Sequence, residues 1–180
     1  MAIIIFIVAC FGTGLYFLRL NSQGHFYLAA QGGNATVRLS SFYLGDAPIK
    51  DYKLPPGWYQ LHLRTDYYDY TVPIRLVAKT ATIVDWHLGD SLAHSSGIIY
   101  ELIPAPKNST LLTVTTSPEK ALITADQGEA VSAPIIEQAL TPGDHQLQIV
   151  LPGFQTLIVP FTLTPGYQLK LTVKLAQESI

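Results

Sequence analysis

Five histidines, His25, His62, His87, His94 and His145, are the residues best suited to metal or proton chemistry in this 180-residue chain. They are scattered. His62 in "YQLHLR" and His87 in "TIVDWHL" occupy outward positions of alternating segments, so both are expected on exposed faces of strands in one sheet, where a pair offers two metal ligands. Isolated strand histidines are far more often solvated side chains, and no metal is expected here. His145 opens the segment "HQLQIVL" and is read as structural. Asp66, Asp69, Asp85 and Glu101 supply carboxylates for acid–base work, but nothing in the sequence fixes their separation. No Gly-x-Ser-x-Gly elbow, Gly-x-Gly-x-x-Gly loop or P-loop occurs, and Cys10, the single cysteine, sits in an apolar run away from water. The chemistry-bearing residues predict no enzyme, no cofactor and no catalytic set.

Aromatic side chains carry the stronger signal. Trp58, Tyr59, Tyr67, Tyr68, Tyr70 and Trp86 crowd one third of the chain. Trp86 and Tyr68 fall at positions expected to pack. Trp58, Tyr59 and Tyr70 form the candidate binding surface, a platform for a partner chain or a glycan. Eleven Lys and Arg against 13 Asp and Glu, a net charge of −2, provide no basic field for nucleic acid. One cysteine excludes an intrachain disulfide and a cysteine-based zinc site. "NAT" at Asn34 and "NST" at Asn108 match a glycosylation sequon, which matters only in a glycosylating host.

The elements that must hold these residues are strands. "QGGN", "LGDAP" and "LPPG" place turn signals at roughly ten-residue spacing, the cadence of an all-β sandwich. "ATVRLSS", "YQLHLR", "TIVDWHL", "LLTVTTSP", "HQLQIVL" and "QLKLTVKL" alternate apolar and polar residues, the period of a half-buried strand. Two stretches, "LPPGWYQLHL" and "LTPGDHQLQI", superimpose at an offset of 86 (142 − 56), with Gln60 on Gln146, Leu61 on Leu147 and Tyr68 on Phe154. At an offset of 87, Val72-Pro73 falls on Val159-Pro160 (159 − 72) and Trp86 on Val173. A duplicated unit of about 65 residues follows. In each copy a proline, Pro56 or Pro142, precedes a glycine, Gly57 or Gly143, the pattern of a type II turn that launches a strand; Gly153 marks the next turn. The first copy has "TDYYD" there instead, so its turn must be built differently.

Residues 1–20 form a separate unit. "MAIIIFIVACFGTGLYFL" has no charge before Arg19, and about 18 helical residues rise roughly 27 Å, close to the hydrocarbon thickness of a bilayer. An uncleaved transmembrane anchor is expected. "IVAC" offers the alternative of acylation at Cys10, though no basic residue precedes it. The organisation read from the sequence is an anchor at 1–20, a β-sandwich at 24–90, a Gly/Ser/Pro-rich connection at 91–110 in which "IIYEL" can pair as a short strand, and a second β-sandwich at 111–177.

The second copy resembles the PEGA domain, a small Ig-like β-sandwich. "SPEKA" (Ser117 to Ala121) stands for the naming motif with Lys120 in the glycine place, followed by "TPGDHQLQI", "PGF" and "TPGYQLKLTVKL". The first copy is a divergent version with "SSFYLGDAP" in place of the "SPxGA" element. The resemblance implies an extracytoplasmic location, on a single-pass membrane protein, and a non-enzymatic role in surface attachment, protein interaction or spacing. It leaves open a carbohydrate-binding module that uses the first copy's aromatics, and an accessory subunit of a membrane complex. The expected partners are the membrane, a protein at the cell surface and, in the alternative, a glycan.

Overall fold

The structure is a computed structural model and describes residues 22–178. The expected anchor at 1–20, with Cys10, lies outside the described residues. Among the described residues there are strands and turns but no helix, and none long and apolar enough to cross a membrane.

The first lobe contains β1 (Gly24–Gln31), β2 (Thr36–Leu39), β3 (Phe42–Asp46), β4 (Ile49–Leu54), β5 (Gly57–Arg64), β6 (Asp69–Leu76) and β7 (Ala81–His87). After β8 (Ser96–Pro104) the second lobe repeats the series as β9 (Thr110–Ser117), β10 (Leu122–Ala125), β11 (Val131–Ser132), β12 (Ile135–Ala139), β13 (Gly143–Val150), β14 (Leu157–Leu163) and β15 (Tyr167–Lys174). The pairing repeats as well. The first strand of each lobe runs parallel to the last and antiparallel to the fourth, while the second, third, fifth and sixth form a separate four-stranded sheet. Leu61 lies opposite Val72 and Leu147 opposite Val159, so the residues aligned by the sequence repeat occupy equivalent places.

Alternation explains the two cores. Phe26, Leu28, Val84 and Trp86 meet Val37, Leu39, Leu61, Leu63 and Ile74 in the first lobe. Leu112, Val114, Leu171 and Val173 meet Ile123, Leu147, Ile149 and Val159 in the second. Each set combines every second residue of its strands, which is what a sandwich with one wet face per sheet requires.

The lobes are fused rather than strung. One seven-stranded sheet runs β12-β9-β15-β8-β7-β1-β4 through both, and β8 is its middle strand. Gly97, Ile99 and Glu101 of β8 pair with Trp86, Val84 and Thr82, on the face of the first core. Ile98, Tyr100 and Leu102 pair with Val173, Leu171 and Leu169, on the face of the second. Successive side chains point to opposite faces, so the two small sheets cover opposite faces of the long one. The segment 91–110, read as a connection, thus contains the central strand. Its sequence "GIIYELI" does not alternate, because a strand flanked by a core on each face is apolar on both.

Two sequence expectations change. The counterpart of "SPEKA" is "QGGNA" (Gln31 to Ala35), offset by 86 (117 − 31), and not "SSFYLGDAP". Both end in a buried alanine, Ala35 or Ala121, whose carbonyl accepts the N–H of Ala47 or Ala133. "SSFYLGDAP" instead matches "DQGEAVSAP", and its ends agree: Ser40 and Asp126 both have positive φ (52° and 51°), and cis prolines follow at Pro48 and Pro134. The type II reading of Pro-Gly fails at Gly57, which has no positive φ, while Gly143 has φ +127°.

Candidate functional site

The paired strands β5 and β6 divide the three aromatic candidates between two faces. Tyr59 and its neighbours Leu61 and Leu63 turn inward, and Tyr70, opposite Leu63, joins them. Tyr70 lies 4.4 Å from the Trp86 ring, and burial raises its phenol above the usual range. Tyr59 donates its hydroxyl to the Pro55 carbonyl at 2.8 Å. Its counterpart in the second lobe is His145 (145 − 59 = 86), whose Nε2 makes the same bond to the Thr141 carbonyl at 2.8 Å. Tyr59 therefore ties down a strand entry, as His145 does. Only Trp58 of the three faces outward, 65% exposed.

Trp58 stands where the lobes meet. The Arg75 guanidinium lies 5.9 Å from its ring centroid and the Lys170 ammonium 5.7 Å, one cation from each lobe. Beneath them is Glu101, 1% exposed. One carboxylate oxygen accepts from Lys170 Nζ at 2.6 Å and the other from the backbone N–H of Arg75. Thr82 Oγ1 donates to the Arg75 carbonyl at 2.8 Å. Arg75 is on β6, an edge strand of its sheet, so Glu101 and Thr82 satisfy edge groups that no strand pairs. The central strand β8 thereby ties β6 of the first lobe to β15 of the second. Tyr68, Ser95 and Lys174 make a second tie: the two hydroxyls are 2.7 Å apart, and Lys174 Nζ donates to the Ser95 carbonyl at 2.6 Å. Burial lowers the Lys174 ammonium pKa. The arrangement presents an exposed indole between two cations, of which Lys170 is held by Glu101, on a junction shared by both lobes, suited to noncovalent contact.

The remaining sequence candidates do not converge. His62 is on β5 of a four-stranded sheet and His87 on β7 of the seven-stranded one, so the expected shared sheet is not formed. Among the described residues, no group of three His, Cys, Asp or Glu side chains is placed to hold a metal. Asp69, Asp85 and Glu101 sit on β6, β7 and β8, with Asp69 beside Arg64 at 3.7 Å and Glu101 spent on the junction. In the "TDYYD" turn the Thr65 hydroxyl accepts from the N–H groups of Tyr67 and Tyr68 at 3.1 and 3.0 Å. That side-chain turn replaces Gly153, which has φ +82° in the second lobe. Sequence reasoning named Glu101 only as a carboxylate for acid–base work and missed its place at the junction, for which the one signal was a lone carboxylate inside the apolar run "GIIYELI".

In the second lobe His145 carries an ion pair. Nδ1 lies 2.8 Å from Asp126 Oδ2, and the ring stacks on Phe161 with centroids 5.4 Å apart. The Asp126 hydrogen bond, then the Thr141 carbonyl, raise the imidazole pKa, while the His145 bond lowers that of Asp126.

Comparison with known families finds the PEGA domain twice, over residues 23–91 and 109–179. A comparison with curated proteins finds no match.

Proposed function

This chain belongs to the PEGA domain family, and we propose that it is a non-enzymatic, membrane-anchored protein displaying a rigid two-lobed β body for protein contact outside the cytoplasm. The apolar run at 1–20 supports the anchor. The observation that carries the contact role is the junction: Trp58, exposed and flanked by Arg75 and Lys170, on a sheet shared by both lobes. Trp and Arg are the side chains that dominate protein interfaces, and a surface already held still loses little entropy on binding. Its two cations suit a partner patch that is apolar at its centre and acidic at its rim. Photocrosslinking from position 58 in intact cells tests the reading. A discrete heterologous adduct, weakened by Lys170→Glu, is expected; crosslinking only to lipid, or none, overturns it. Protease shaving tests the sidedness, and resistance of residues 24–180 until lysis would reject display outside the cytoplasm.

A further inference from the structure

The outer face of β3-β2-β5-β6 holds a cavity of about 590 Å³ whose lining includes Arg38, Tyr43, His62, Arg64, Asp69 and Thr71. Strand register lines these up. Tyr43, Arg38, His62 and Thr71 sit directly opposite one another across the four strands. The next rung is Asp46, Thr36, Arg64 and Asp69, in which Asp46 is bonded to the Thr36 hydroxyl and Asp69 lies beside Arg64. We propose that this face binds a saccharide unit bearing a carboxylate, with Tyr43 stacked on the sugar ring and Arg38 holding the acid group.

Each part has an assigned chemistry. Tyr43 is 65% exposed, and its flat ring matches the apolar face of a pyranose. Arg38 is exposed and in the cavity, and its nearest cross-strand neighbours are Tyr43 and His62, with no carboxylate opposite. A guanidinium presents a two-pronged donor matched to a carboxylate. Arg64 and Asp69, 3.7 Å apart and both exposed, place a donor beside an acceptor, as adjacent sugar hydroxyls require. Thr71 Oγ1 and His62 Nδ1, 3.0 Å apart, hold each other in place along the same row. The volume suits a small ligand, and a lining that mixes polar and apolar surface suits a sugar, which carries both hydroxyls and an apolar ring face. Strand addition would lay a peptide beside the open edges of β3 or β6, whereas a ligand over Arg38 and His62 rests on β2 and β5, which are paired on both sides. Side chains alone must read the ligand.

This goes beyond the display role and stands whether or not the junction binds a protein. The test is titration calorimetry of the full chain in non-ionic detergent with oligogalacturonate, neutral oligogalactose and polyglutamate. Saturable binding of oligogalacturonate is expected, weakened at least tenfold by Arg38→Gln and about fivefold by Tyr43→Ala or Asp69→Asn, and unchanged by Trp58→Ala. Oligogalactose should bind at least tenfold more weakly than the acid. No saturation at millimolar oligogalacturonate, equal binding of oligogalactose, or polyglutamate binding as tight and insensitive to Tyr43→Ala would each overturn the proposal. Circular dichroism of the variants separates lost binding from lost folding.

Discussion

The two lobes share a frame but differ in what they show to water. Exposed large apolar side chains of the first are mainly aromatic, Phe42, Tyr43, Trp58 and Tyr67, whereas those of the second are aliphatic, Leu122, Val131, Ile136, Val150 and Ile158. At the rung of Trp58 and Arg75 the second lobe has Asp144 and Thr162, bonded at 2.6 Å. The interiors differ by compensation instead. Across β8 the first core sets Trp86 against Gly97, and the second sets Val173 against Ile98. One large and one minimal residue replace two of middle size. The comparison teaches that packing holds the repeat's inner positions to a summed volume, while its outer positions are open to separate uses.

The largest expected effect breaks the frame itself. Leu61→Ala and Leu147→Ala, both at wholly buried equivalent sites, should each cost about 3 kcal/mol in urea unfolding, and a difference above about 1.5 kcal/mol would mean the cores are not equivalent. Next comes the tie between lobes. Glu101→Ala leaves the Arg75 N–H without its acceptor and Lys170 without its partner, for about 2–3 kcal/mol, below the full buried-pair value because Lys170 is partly exposed. It should also split one unfolding transition into two, and a single sharp transition would show that the sheet alone couples the lobes.

The volume exchange can be tested at Gly97. A β-carbon there would lie 1.9 Å from Trp86 Cε3, so Gly97→Ala should cost about 2 kcal/mol. Adding Trp86→Val to Gly97→Ile recreates the second lobe's pair and should recover most of the loss relative to Gly97→Ile alone. No recovery would reject the compensation.

The smallest effect is in pH dependence, where the His145–Asp126 pair of the second lobe has no counterpart at the equivalent places of the first. The raised His145 pKa adds stability that is present below the ordinary imidazole value and is lost as pH rises through the raised one. The lowered Asp126 pKa adds stability present above the ordinary carboxylate value and lost as pH falls through the lowered one. The pair therefore supports the lobe best between the two, and proton NMR should find His145 titrating above a free histidine. Asp126→Asn should remove the acid limb and shrink the alkaline one, which the Thr141 carbonyl still supports in part. In the first lobe Tyr59 and Ser40 fill these places and titrate in neither range.

Strand alternation and the 86-residue offset made the cores legible, because Leu61 and Leu147 answer to the same period. One thing was misread and two were hidden. Tyr59 and Tyr70 were read as surface aromatics although period two sets Tyr59 with Leu61 and Leu63, and Tyr70 with Val72 and Ile74, on the inward faces of β5 and β6. The strand β8 lacked alternation because both its faces are buried. The row Tyr43–Arg38–His62–Thr71 joins two hairpins, β2-β3 and β5-β6, and only register brings its members together.

The shared strand has a consequence for dissection. A fragment ending before Ser96 would leave β7 as a bare sheet margin carrying Ile83, and one starting after Pro104 would do the same to β15. Each would offer unpaired backbone groups to neighbouring molecules and invite swapped dimers or precipitation. Half of this molecule, expressed in isolation, should therefore report on self-association rather than on the native body.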